Sequence, residues 1–276
     1  MKRILTALIA IGCILAVTCP AGASELDAFA NLKGTINIAG GTAHIPVMKD
    51  CARNIMQAYP EIRITIAGGG SGIGAQKVGE GLVDIGNTGR ALSAKEKAKY
   101  DLVSYPFAID GVCTVLHKDN PVSELSSQQV RDIFAGTITN WNQVGGQDGP
   151  INVYVRDEAS GTRAVYWKKL LNKGDVVANA NVVPSNGAMK TALSRDPFGI
   201  GYVSIGHLDN TVKAPLLDGI EPNQENAKNG TYKVVRKLYM NTRPNPSALT
   251  SAFIEYVYSP SGAAIITKSG FIPMQK

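Results

Sequence analysis

Cysteine is scarce in this chain, and half of it lies where the folded protein cannot use it. Of four cysteines, Cys13 and Cys19 fall in an apolar N-terminal run, which leaves Cys51 and Cys113. Two residues cannot build the disulfide framework that staples small secreted domains, although a single bridge stays open. Cys51 sits in a helical pattern and Cys113 in a strand pattern, and free Cys is among the most buried residue types, so two buried thiols are the expectation. Histidine is as thin: His44, His117 and His207 are scattered without H-x-x-x-H spacing, which argues against a zinc site. Neither Ser71 nor Ser160 lies in a G-x-S-x-G elbow, because Ile73 and Glu158 break it, so a hydrolase is unsupported. Blocks of Lys and Arg are missing, which removes the footprint of a nucleic-acid binder. No repeat of fixed period is visible, so a solenoid is not expected.

Long apolar runs are missing too, with one exception. Lys2 and Arg3 precede the apolar run Ile4 to Val17, and Ala21-Gly22-Ala23 then offers a small-x-small site before Ser24. The run is too short to span a bilayer and is flanked as a secretory leader should be, so residues 1–23 are read as a signal peptide. The chain is expected to be exported to the periplasm. Membrane anchoring as a lipoprotein through Cys19 is the alternative, with Thr18 a poor residue ahead of a lipidated cysteine. Loss of Lys2 and Arg3 lowers the formal net charge from +6 to +4, because no acidic residue precedes Ser24. That balance favours anionic ligands in general. With 276 residues, 44% of them hydrophobic and 18% charged, the chain can bury a sizeable core and is long for one lobe.

What is present is a repeated strand, small-residue turn and helix. Gly34 to Ala39 reads as a strand, and Gly40-Gly41-Thr42 opens a helix with apolar residues at Ile45, Met48, Ala52, Ile55 and Tyr59, Thr42 as its N-cap and Pro60 as its stop. Ile62 to Ala67 is a second strand, followed by Gly68-Gly69-Gly70-Ser71-Gly72 and a short helix to about Gly81. Asp84-Ile85-Gly86 is a third, leading to Asn87-Thr88-Gly89-Arg90, and Ser93 with Glu96 forms a capping box. Strands alternating with helices imply a parallel sheet that binds ligands at the strands' carboxyl ends, which puts Thr42, Ser71 and Arg90 on one rim. Tyr105 to Leu116 is a long strand with no helix behind it, suited to crossing between lobes. Val234 to Met240 suits the return crossing. Between them come a helix Ser126 to Phe134 closed by Gly136, a core Trp141, a helix near Ser185 and Asn186, and strands Gly199 to Ile205 and Val212 to Leu217. Helices Ser247 to Tyr258 and Ser261 to Lys268 end the chain.

The richest stretch is Arg156-Asp157-Glu158-Ala159-Ser160-Gly161-Thr162-Arg163, between a strand, Ile151 to Val155, and a helix, Ala164 to Leu171. A helix that opens on such a turn leaves its first N–H groups unpaired at the positive end of its dipole, an anion socket. Ser160, Thr162, Arg156 and Arg163 crowd that turn, and guanidinium forks suit tetrahedral oxyanions.

Taken together, Gly40-Gly41-Thr42, Gly69-Gly70-Ser71-Gly72, Asp84-Ile85-Gly86, Ile138-Thr139-Asn140-Trp141 and above all Arg156-x-x-x-Ser160-Gly161-Thr162-Arg163 resemble the phosphate-binding protein of bacterial ABC phosphate transporters. The resemblance runs from Gly34 to Pro273. It implies an α/β fold of the type II periplasmic-binding kind, with two lobes, each a mainly parallel sheet flanked by helices, joined by crossing strands. Lobe 1 would take residues 24–113 and, as a return segment, 236–276, and lobe 2 residues 114–235. The ligand set it implies is Thr42 with the N–H of Ala43, Ser71 with the N–H of Gly72, then Arg156, Ser160, Gly161 and Thr162. It also implies inorganic phosphate as ligand, a membrane permease as partner, a monomer, and no catalysis, metal or cofactor.

At one position the sequence departs from the long members of that family, which carry an aspartate that accepts the proton of bound phosphate. Arg90 stands there, and as a cleft residue it would favour the more charged anion. Asp84, Asp110 or Glu158 could supply the acceptor instead. Two other readings stand beside phosphate. One is another oxyanion such as sulfate. The other is an exported NADP-binding enzyme, since Gly70-Ser71-Gly72-Ile73-Gly74-Ala75 matches the loose dinucleotide pattern, with Arg90 about twenty residues on.

Overall fold

Strands buried over most of their length and helices with i, i+4 apolar spacing pack the chain around two cores. The computed structural model describes residues 24–276; the leader expected over residues 1–23, with Cys13 and Cys19, lies outside the described residues. The parallel strands β1 (Gly34–Gly40) and β2 (Ile62–Gly69) pair with Gly34 opposite Ile62, and β3 (Ile85–Thr88) lies parallel on the other edge of β1. Helix α1 (Ile45–Ala58) buries Val47, Met48, Cys51, Ala52 and Ile55 on one face. Thr42 does not cap it: the segment Thr42–His44 is a 3-10 turn and Pro46 occupies the first helical turn, so the Thr42 hydroxyl serves another purpose. Helix α2 (Gly70–Gly79) follows β2 directly, and α3 (Ala94–Lys99) carries the expected Ser93–Glu96 capping box.

Strand β4 (Val103–His117) is 15 residues long and belongs to both halves. Beyond it come β5 (Glu124–Leu125), α4 (Ser127–Ala135) with Ser126 as N-cap, β6 (Asn152–Arg156), α5 (Gly161–Lys169), β7 (Asn181–Val183), α6 (Asn186–Leu193) and β8 (Gly199–Ser204). The single strand expected over Val212 to Leu217 is two: β9 (Val212–Lys213) adds to β4, while β10 (Leu216–Leu217) pairs with β5. Pro215, which has no N–H to donate, lies at the break. After the short α7 (Gln224–Lys228), β11 (Val235–Thr242) returns antiparallel to β4, and α8 (Ala248–Tyr258), α9 (Pro260–Lys268) and β12 (Ile272–Pro273) complete the chain. The three-residue β7 and five-residue α7 were too short to leave a periodic signal.

The main sheet runs β2-β1-β3-β11-β4-β8-β6-β7. One core gathers Phe29, Ile36, Val47, Ile55, Phe107, Leu238, Phe253 and Phe271; the other gathers Val112, Phe134, Trp141, Tyr166, Tyr202 and Val234. Along β4 the first core ends at Ala108 and the second begins at Val112, and along β11 the change falls between Val234 and Leu238. The cores therefore join at two adjacent antiparallel strands. Cys51 belongs to the first and Cys113 to the second, and both are free, buried thiols. Trp141 is core, its indole N–H donating to the Phe198 carbonyl at 2.9 Å.

Candidate anion site between the two cores

The carboxyl ends of β1, β2 and β3 and the helix starts that follow them meet the β6–α5 turn across a cavity of ≈ 180 Å³. From the first core it is lined by Gly41, Thr42, Ala43 and His44, by Gly70 and Ser71, and by Gly89; from the second by Arg156, Ser160, Gly161 and Thr162. Arg236 of β11 completes the wall. The halves touch directly. The Gly72 N–H donates to the Ala159 carbonyl at 3.0 Å, and the Asn186 backbone and side-chain amides donate to Thr42 Oγ1 at 3.3 and 3.1 Å. Gly161 permits this approach, since a Cβ there would lie 2.2 Å from Ser71 Oγ.

Three hydroxyls are held in one manner. Thr42 Oγ1 accepts from Asn186, Ser71 Oγ accepts from the Gly89 N–H at 2.9 Å, and Ser160 Oγ accepts from the Arg163 N–H at 3.2 Å as N-cap of α5. With its oxygen so engaged, each hydroxyl keeps its proton to donate. All three residues are buried. The N–H groups of Gly161 and Thr162 open α5 without intrahelical partners, at the positive end of its dipole.

Arg156 ends β6 at 2% exposure. Its Nε and Nη2 donate to the Val183 and Pro184 carbonyls at 3.0 and 2.8 Å, while Nη1 is buried with no partner. Burial lowers its pKa from the ordinary arginine value, Arg236 adds to that, and Asp157 opposes it. Arg236 is likewise buried with Nη2 unpartnered, and so are both ring nitrogens of His44. Burial, then the charge of Arg236, holds His44 down at about 3, so its imidazole is neutral. A buried donor with no acceptor costs roughly 1–3 kcal/mol, and more when charged. Several such atoms around one cavity mark it as built for an acceptor-rich guest.

Seven of the nine residues expected to contact a ligand thus meet here: Thr42, Ala43, Ser71, Arg156, Ser160, Gly161 and Thr162. Gly72 does not, because its N–H is spent on Ala159. Arg90 does not either. Its guanidinium makes a two-pronged pair with Glu96, Nη1 to Oε2 at 2.7 Å and Nη2 to Oε1 at 2.8 Å, and a third bond to the Ala91 carbonyl. Glu96 is the same residue that closes the α3 capping box; burial raises its pKa, but Arg90 and Ser93 outweigh that and leave it below the usual value. Arg90 instead lines a larger groove of ≈ 1210 Å³ with Ile109, Val165, Lys168 and Tyr239. That groove is bigger but mostly apolar, and it shares only Arg236 with the cavity, without Arg156, the buried hydroxyls or the α5 helix start, so size does not locate the chemistry here.

The three carboxylates considered as proton acceptors are also elsewhere. Asp84 accepts from the Asn37 N–H, Asp110 pairs with Arg236 and Ser204, and Glu158 is exposed. Among the described residues no carboxylate lines the cavity. Arg163 is also outside the lining. The dinucleotide-like glycines are structural: a Cβ on Gly74 would lie 2.4 Å from the Asn87 carbonyl oxygen, and the cavity is too small for a dinucleotide.

Sequence reasoning missed His44, Gly89 and Arg236 as lining residues. Arg236 had a signal. It shares the even phase of β11 with Leu238 and Met240, both fully buried, and a charged residue in the buried phase of a strand calls for a partner.

A sheet shared by two cores, two crossing strands and an anion-suited cavity between helix starts define a solute-binding protein of the type II periplasmic-binding class. The family model described as a PBP superfamily domain matches residues 27–261. The phosphate-binding protein PstS of Bacillus subtilis is 32% identical over 246 residues, covering 87% of this chain and 81% of that protein. A substrate-binding protein of Clostridium perfringens assigned to phosphate ABC transport, solved with bound phosphate, superposes with a TM-score of 0.83 at 32% identity, over 88% of this chain and 100% of that one. An ABC-type phosphate transport receptor from Vibrio cholerae gives a TM-score of 0.69 at 33% identity, over 86% and 99% of the two chains. The chain belongs to the PBP superfamily and, within it, to the family of PstS phosphate-binding proteins.

Proposed function

We propose that this protein captures inorganic phosphate in the cavity between its two cores and delivers it, outside the cytoplasmic membrane, to the permease of an ABC transporter. The observation that carries the reading is the set of buried, unpartnered donors around one small cavity, foremost Nη1 of Arg156. The ligand shell consists of the hydroxyls of Thr42, Ser71, Ser160 and Thr162, the N–H groups of Ala43, Gly161 and Thr162, and Arg156. Bonds to a charged group contribute ~1.5–3 kcal/mol each, and micromolar affinity needs about 8 kcal/mol, so such a shell suffices after the costs of ordering. The relatives' names and the phosphate in the Clostridium perfringens structure support the same ligand.

In this reading residues 24–113 and 236–276 form one lobe and residues 114–235 the other, with Val112 and Cys113 at the crossing already packed into the second core. They close about β4 and β11, joining two half-shells that neither lobe completes alone. The protein acts as a monomer and carries out no reaction. Residues 1–23 direct export to the periplasm. Among the described residues no helix is long and apolar enough to cross a membrane.

Calorimetry of the mature protein, stripped of ligand, against phosphate, sulfate and NADPH tests the reading. Heat with phosphate is the expected result, and heat with NADPH alone overturns it. Small-angle scattering should show a smaller radius of gyration at saturating phosphate; an unchanged radius would mean that the lobes do not close on the ligand.

A further inference from the structure

We propose that Arg236, held by Asp110 on the crossing strands, is a direct ligand of the bound anion and biases the site toward doubly charged oxyanions. The inference rests on the reading of the cavity as an oxyanion site. Arg236 and Asp110 face each other in the β11–β4 register, where the two cores join. Arg236 Nε donates to Asp110 Oδ2 at 2.8 Å, with the side chains 3% and 0% exposed. The other carboxylate oxygen accepts from Ser204 Oγ at 2.8 Å, so Asp110 is engaged on both oxygens and does not reach the cavity. Arg236 does reach it. Nη1 lies 3.4 Å from the Gly89 carbonyl oxygen and Nη2 is buried with no partner; the side chain lines this cavity together with Arg156 and also borders the larger groove.

Gly89 supplies an independent observation. A Cβ there would stand 2.6 Å from Arg236 Nη1 and 3.1 Å from Cζ, so any side chain at 89 would push the guanidinium away. The glycine keeps the space the arginine occupies. Two like charges buried close together are unfavourable unless negative groups lie near them; Asp110 bonds to Arg236, while Asp157 acts on Arg156 through its charge alone, and Nη1 of Arg156 and Nη2 of Arg236 stay without an acceptor.

The consequence is a lining rich in donors and without a carboxylate, whose free acceptors are weak ones: one nitrogen of the neutral His44 and the hydroxyl oxygen of Thr162. The charged or titratable groups of the lining are Arg156, Arg236 and His44; Asp110, Asp157 and His207 stand behind it. The hydroxyl oxygens of Thr42, Ser71 and Ser160 are already engaged as acceptors. A proton on the guest finds no carboxylate, so the dianion is held best. Arg236 therefore takes the role that the sequence suggested for Arg90. Because it sits where the cores join, it ties the anion to the strands about which the lobes move.

The test is calorimetry with phosphate at pH 6 and pH 8, and with sulfate, on the wild type and on the double variant Asp110→Asn/Arg236→Gln, which keeps a neutral hydrogen-bonded pair. Wild-type phosphate affinity should rise severalfold from pH 6 to 8, as the second phosphate proton leaves near pH 6–7, and millimolar sulfate should compete. The double variant should lose roughly tenfold or more for phosphate, more for sulfate, and most of the pH rise. A folded double variant that keeps wild-type affinity and pH profile overturns the proposal, leaving Arg236 as a strand staple. Gly89→Ala displaces the guanidinium from the cavity side while leaving the pair in place. It should reproduce the loss, and unchanged binding would again count against Arg236. A wild type that binds sulfate through Arg236 but not phosphate would overturn the phosphate reading alone, and one that binds neither overturns both.

Discussion

The two halves of the site are built differently. The second core contributes Arg156, Ser160, Gly161 and Thr162 from one seven-residue stretch at the start of one helix, with the cation, the N-cap hydroxyl and the free N–H groups already together. The first core assembles its half from three separated turns, at Thr42–His44, at Gly70–Ser71 and at Gly89, and among these His44 is neutral and none is charged. A contiguous, charged half is preorganised and can take an anion by itself. A dispersed, neutral half adds donors only when it is brought against the first. The contrast suggests an order of events: capture on the second core, then closure of the first.

The largest effect should follow from breaking the charged half. Arg156→Met removes the buried guanidinium with its free Nη1, and phosphate affinity by calorimetry should fall about 100-fold, since bonds to charged groups are each worth ~1.5–3 kcal/mol. A loss below fivefold would show that the dispersed half carries the binding. Next in size is Gly161→Ala. Its Cβ would press on Ser71 Oγ, so the halves could not meet, and scattering should show no contraction on adding phosphate while weak binding to the open second core persists. Contraction as in the wild type would mean that the contact gives way. Thr162→Val should cost about tenfold in affinity, as one bond to a charged guest is lost, with the melting temperature of the unliganded protein nearly unchanged. Unchanged affinity would reduce that hydroxyl to a bystander.

The smallest effect concerns stability, and it turns on two imidazoles, the buried His44 of the first half and the part-buried His207, which reaches across to the Thr42 carbonyl. Burial and Arg236 hold His44 at about 3, and burial and Lys190 hold His207 at about 4, both below the ordinary 6.5. Between those values the unfolded chain binds protons that the folded chain refuses. The stability tied to neutral imidazoles is therefore complete above about 6.5 and is lost as pH falls toward 4 and then 3. The melting temperature of the unliganded protein should fall between pH 6.5 and pH 4, and it should fall less steeply in His44→Gln. Parallel curves for the two proteins would assign the acid sensitivity to other groups.

The same contrast explains what could be read in advance. The second half was legible because its residues are neighbours in the chain: strand, Ser-Gly-Thr turn and helix sit in one window, and capping and dipole arguments act within a turn. Thr42 and Ser71 were legible as hydroxyls at strand ends, but their local roles were not. Thr42 was expected to cap α1, yet its oxygen accepts from Asn186, 144 residues away. Arg90 sat on the right rim and still turned aside, because Glu96, expected only as a capping partner, also matches its guanidinium fork. Arg236 was legible only as a charge in the buried phase of a strand, which calls for a partner without saying which one.

The amino-acid sequence by itself determined the longer elements and their order, the anion-suited turn at Arg156–Thr162, the long strand that crosses between cores and the burial of its two thiols, because these follow from periodicity, caps and composition within short windows. Only the tertiary structure decided which arginines face the cavity, that Gly72 spends its N–H on Ala159, and that Asp110 serves Arg236 rather than the guest. A hydrogen bond across 126 residues, such as that pair, leaves no local trace; it depends on the register of two antiparallel strands and on which buried donor finds its acceptor first within the fold.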